Sequence, residues 1–104
     1  MNKTEIFNKG QRRTFPLGQL VVTRGINDKI ADDLKFSEFV LQSMRRHAAG
    51  DWGDLTKKDI EENENALEKG FRLLSAYIKE EHPKIWIITE ADRSVTTVLF
   101  PTEY

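Results

Sequence analysis

Apolar residues recur along this chain with two different periods, and the change from one to the other divides it. Phe36, Phe39, Val40, Ser43, Met44 and His47 fall at three- and four-residue steps, which predicts an amphipathic helix over residues 37–48 with Arg45 and Arg46 turned outward. Residues 84–89 and 94–100 are instead rich in β-branched and aromatic side chains, predicting two strands that pair antiparallel through the connection Glu90-Ala91-Asp92-Arg93. Residues 71–78 satisfy both periods, and Gly70, a natural helix stop, favours a strand there. Nearer the start, residues 17–23 predict a first strand. Asn27 is placed to cap a short helix over 28–34 with Ile30, Ala31 and Leu34 on its apolar face.

The clearest local instruction lies at the third helix. Thr56 and Asp59 form a capping pattern, and Leu55 and Ile60 occupy the two positions that clamp a helix start, so the helix begins near Lys57. Ile60 and Leu67, with Asn63 and Ala66 less strongly, point inward. The order β-α-α-α-β-β-β predicts an α+β domain over residues 17–104: a four-stranded, largely antiparallel sheet, its first strand at an edge and its helices on one face. Residues 1–16 show no period and end in Thr14-Phe15-Pro16, where the proline disfavours helix, which predicts an irregular N-terminal arm.

Composition adds exclusions. A chain of 104 residues suits one core, and no apolar run approaches the roughly 20 residues of a membrane span. The absence of cysteine removes disulfides and thiolate metal sites and makes a cytoplasmic location the simplest expectation. The net charge of −1 conceals a basic start, with Lys3, Lys9, Arg12, Arg13 and Arg24, and an acidic middle, with Asp51, Asp54, Asp59, Glu61, Glu62 and Glu64. So balanced a total argues against direct nucleic-acid binding, and equally against imitation of DNA.

Residues 47–55, His-Ala-Ala-Gly-Asp-Trp-Gly-Asp-Leu, concentrate the candidate chemistry. Asp51, Asp54, Glu90, Asp92 and His47 have metal-ligand chemistry, but their spacing matches no established ligand signature, and no cofactor is expected. A small metal-dependent or hydrolytic enzyme using Asp51, Asp54 and Glu90 stays open as an alternative. So does a nucleic-acid-binding accessory protein using Arg12, Arg13, Arg24, Arg45 and Arg46. No nucleophile motif surrounds Ser94, Thr96 or Thr97, and neither phosphate-binding glycine loop is present. His47, on the apolar side of its helix, fits a satisfied core residue better than a catalytic one, and Trp86 fits the core of a strand. Trp52 is either a plug at the helix junction or an interface anchor. Asp92 beside Arg93 fits a turn-stabilising aspartate or a recognition pair.

Two blocks stand out together: Gly50-Asp51-Trp52-Gly53-Asp54-Leu55 with Asn63-Glu64 behind it, and residues 86–94 leading to Thr96-Thr97 and Pro101-Thr102-Glu103-Tyr104. Over residues 17–104 they resemble a family of short proteins encoded on plasmids, prophages and other mobile elements, a group similar to an anti-CRISPR that inhibits type II-A Cas9. The resemblance implies a non-enzymatic inhibitor in the bacterial cytoplasm that binds Cas9 or its guide-RNA complex. From their chemistry, Asp51, Trp52, Asp54, Glu90, Asp92 and Arg93 are the expected partner-binding residues.

Overall fold

A computed structural model describes residues 15–104. The expected N-terminal arm over 1–16 therefore lies, up to Thr14, outside the described residues, as do Lys3, Lys9, Arg12 and Arg13. The elements are β1 (Gln19–Val22), α1 (Arg24–Asp32), α2 (Leu34–Ala48), α3 (Lys57–Lys69), β2 (Leu73–Tyr77), β3 (Ile85–Thr89) and β4 (Val95–Leu99), followed by a 3₁₀ turn, Pro101–Glu103. The order β-α-α-α-β-β-β and the α+β class are as the sequence predicts.

The sheet order is β1-β4-β3-β2. The C-terminal strands form an antiparallel meander, with Ser75 opposite Ile87 and Ile88 opposite Thr97. β1 adds to the far side of β4 in parallel, Leu20 beside Thr96. That one parallel ladder requires a crossover, and all three helices supply it.

Successive strand residues alternate between faces, so Leu73, Ser75, Tyr77, Ile85, Ile87, Thr89, Thr96 and Val98 share the helix side. There Ile26 of α1 and Phe36, Phe39 and Val40 of α2 close a core with Tyr77, Ile85, Ile87 and Val98. A second cluster sits to one side, where Trp52, Ala66 and Leu73 are buried with Phe15, Leu55, Ile60 and Leu67 packed against them. Thus α3 hangs over the β2 margin while α1 and α2 cover the middle.

Local boundaries differ from expectation in three places. The first helix begins at Arg24, four residues before the predicted start, because Thr23 rather than Asn27 caps it: its hydroxyl accepts from the Ile26 N–H at 3.4 Å. Thr23 in turn donates to Glu103, whose other oxygen accepts the Gly25 N–H, and any Cβ at Gly25 would lie 2.5 Å from that carboxylate. The second helix starts at Leu34, since Asp33 ends α1 and caps α2, accepting from the Phe36 N–H at 3.1 Å. β2 is shorter than 71–78: Phe71 lies outside it, 56% exposed. Trp86, expected in the core, is half-buried on the outer sheet face, edge-on to Tyr104.

Candidate functional site

The 50–55 segment is built around Gly53. Its φ of 78° is left-handed, and a Cβ there would lie 2.0 Å from the Ala76 carbonyl, so only glycine lets the loop run against β2. Once there, the loop behaves as a short extra strand. The Ala76 N–H donates to the Trp52 carbonyl at 3.3 Å, and the Asp54 N–H donates to the Ala76 carbonyl at 2.7 Å. Asp54 continues the ladder with its side chain, accepting from the Ile78 N–H at 2.9 Å. Asn63 of α3 completes it at the other end, donating to the Leu74 carbonyl at 2.6 Å and accepting the Leu74 N–H at 3.2 Å.

Asp51 faces the other way. Its carboxylate takes two bonds from the Arg46 guanidinium, at 2.7 and 3.1 Å, and one from the Gly53 N–H. Arg46 first, and the Gly53 amide after it, hold the Asp51 carboxyl below the usual range, although half of the side chain stays exposed. The Arg46 guanidinium lies over the Tyr77 ring at 4.9 Å, and the Tyr77 hydroxyl donates to the Asp51 carbonyl at 2.6 Å. Burial pushes that hydroxyl's pKa up.

Trp52 is the plug rather than an exposed anchor. It is 3% exposed, its indole N–H donates to Glu64 at 2.8 Å, and its ring stacks on Phe15 and meets His47 edge-on.

The 90–93 connection is tied down just as fully. Asp92 accepts from the Ser94 N–H at 3.0 Å, and hydrogen bonds from Ser94 hold its carboxyl low, the turn-stabilising role. Arg93 adopts a left-handed φ of 62°, which turns its guanidinium back to donate to the carbonyls of Ala66, Phe71 and Glu90 and to lie over the Phe15 ring. Glu90 pairs with Arg72 at 3.7 Å, both partly exposed. Phe15 therefore brings Trp52 and Arg93 into one cluster. Asp51 and Asp54 sit instead at the Tyr77 end of β2 and Glu90 at the Leu73 end, ends that lie about 14 Å apart along the strand.

A buried polar chain crosses the helix side of the sheet, and periodicity alone did not reveal it. His47 Nδ1 lies 2.6 Å from Ser75 Oγ and Nε2 lies 2.8 Å from Thr89 Oγ1, which lies 2.7 Å from Thr96 Oγ1. Thr96 contacts the Leu17 carbonyl at 2.7 Å. A carbonyl only accepts, which orients the links from that end: Thr96 donates to Leu17, Thr89 to Thr96, and His47 Nε2–H to Thr89. Nε2 therefore carries a proton, and in the neutral imidazole Nδ1 accepts from the Ser75 hydroxyl. Burial, with Arg93 nearby, depresses the imidazole pKa to about 4. With no exposed surface it has no route to a substrate.

Among the described residues, no three His, Asp or Glu side chains gather as metal ligands, and no helix is long and apolar enough to cross a membrane. One open hollow of about 470 Å³ is lined by Glu64, Asn65, Leu67 and Glu68, away from the histidine and the hydroxyl chain. Fold and site together define an α+β protein with a four-stranded mixed sheet whose conspicuous motif is spent on closing one sheet edge. Comparison with protein-family models, curated proteins and solved structures finds no match.

Proposed function

We propose that the protein is a non-enzymatic inhibitor that works by protein–protein contact on a type II-A Cas9 effector complex, the activity implied by the resemblance of the two blocks. The observation that supports a binding role is how the candidate charges are held. Asp51 is fixed by two hydrogen bonds from Arg46, Glu90 pairs with Arg72 at 3.7 Å, and both keep about half of their side chains exposed. Fixed, partly exposed carboxylates lose little entropy when a partner docks, whereas catalytic carboxylates would converge on a cleft. The balanced charge favours docking on a protein surface, or blocking a conformational step, over imitation of duplex DNA.

The test is a Cas9 cleavage assay with purified protein, paired with a pull-down with and without guide RNA. Dose-dependent loss of cleavage is expected, weakened by Asp51→Asn and Glu90→Gln while thermal unfolding stays close to that of the parent. Undiminished cleavage at a large molar excess over Cas9 sinks the proposal.

A further inference from the structure

The geometry points to self-association: two copies of this chain pair through β1, antiparallel about a two-fold axis at Val21, into one continuous eight-stranded sheet.

β1 bonds to β4 through alternate residues. The Gln19 N–H donates to the Ser94 carbonyl at 2.9 Å and the Thr23 N–H to the Val98 carbonyl at 3.1 Å, so Gln19, Val21 and Thr23 turn their main-chain groups inward to the sheet. The N–H and C=O of Leu20 and Val22 therefore point outward, and among the described residues nothing bonds to them. Leu20 and Val21 are also 51% and 37% exposed. Free strands of this kind are ordinarily protected by charge, proline or a bulge, and Gln-Leu-Val-Val carries none of these.

A second copy fits because the strand is complementary to itself. With Val21 on the axis, Leu20 of each copy faces Val22 of the other, and both outward N–H and C=O groups of each are satisfied with none left over. On the helix side Leu20 lies beside an apolar neighbour, and on the outer face the two Val21 side chains meet. Residues 15–23 hold no charge. The first charges, the two Arg24 side chains, stand about 20 Å apart along the strand, beyond the screening length at physiological salt. The assembly also closes: its outer margins are the two β2 edges, each already occupied by the Trp52–Asp54 loop and Asn63. The product is a symmetric dimer rather than a fibre. A four-residue strand contact is smaller than the interfaces of permanent dimers, so a concentration-dependent monomer–dimer equilibrium is expected.

The experiment uses the full chain alone, which separates it from the Cas9 assay. Sedimentation across a concentration series reads the association constant for the parent, Val21→Lys and, as a control on exposed helix surface, Leu41→Lys. Like charges placed directly opposite one another at the axis should weaken association about tenfold, and Leu41→Lys should leave it unchanged. Because the chain lacks cysteine, Val21→Cys adds a geometric readout: close-paired antiparallel positions lie within disulfide range, so oxidation should link two copies rapidly, and Leu41→Cys should not. A parent that stays monomeric up to about millimolar concentration, the affinity scale of the weakest contacts, overturns the proposal. Association as strong in Val21→Lys as in the parent, or equal cross-linking at positions 21 and 41, overturns it too by placing the contact elsewhere.

Discussion

The two margins of the sheet are treated in opposite ways. At β2, every outward main-chain group from Leu74 to the Ile78 N–H has a partner, drawn from Asn63, Trp52 and Asp54. At β1, the equivalent groups of Leu20 and Val22 have none among the described residues. The difference assigns a physical role to the residues that make this sequence conspicuous. Gly53 permits the approach to β2, Trp52 anchors the loop in the second cluster, and Asp54 extends the ladder by one bond. The exposed carboxylates of Asp51 and Glu90 take no part in closing that edge.

The contrast can be broken most sharply at Gly53. Gly53→Ala drives a methyl into the Ala76 carbonyl at a left-handed φ, and should cost about 3 kcal/mol or more in urea unfolding, or prevent folding altogether. A comparable loss is expected from acid, through the polar chain that ties β2 to the margin of β1. The folded pKa of His47, about 4, lies below its ordinary 6.5, so the unfolded chain binds the extra proton. Stability from this group is complete above pH 6.5, falls as the pH drops towards 4, and amounts to roughly 3 kcal/mol in full. Urea midpoints across that window should slope for the parent and flatten for His47→Gln; equal slopes would remove the histidine from the account. Asn63→Ala strips the Leu74 N–H and C=O of their partners and should cost about 2 kcal/mol, with amide exchange rising at Leu74. Val21→Lys at the open margin should change stability by less than about 0.5 kcal/mol, and a larger loss would mean that β1 is covered in the monomer.

Legibility in the sequence followed the range of the interaction. The start of α3 was readable because Leu55, Thr56, Asp59 and Ile60 carry it within six residues, and Thr56 does accept from the Asp59 N–H at 3.1 Å. Its end at Gly70, left-handed at φ 77°, was equally local. The cap of α1 was misplaced because its setting is remote: Thr23 is oriented by Glu103, and Gly25 makes room for that carboxylate. The parallel placement of β1 beside β4 left no local trace either. At the candidate site, the burial of His47 followed from its position on the apolar stripe, but its partners Ser75, Thr89 and Thr96 look like ordinary strand residues and acquire meaning only in register. Two of the six expected contact residues, Trp52 and Arg93, are drawn together through Phe15, a residue assigned to the arm.

The bond between Thr23 and Glu103 spans 80 positions, and it bears on the timing of folding. The meander of β2, β3 and β4 needs only short turns to close, whereas β1 has no template until β4 exists. Contacts of such long sequence separation are the slow ones, so β1 zips on after the rest and is the first strand to leave during native fluctuations. Amide hydrogens of Gln19 and Val21 should accordingly exchange sooner than those at the centre of β3. Exchange as slow as at Ile87 would mean that the sheet opens only as a whole.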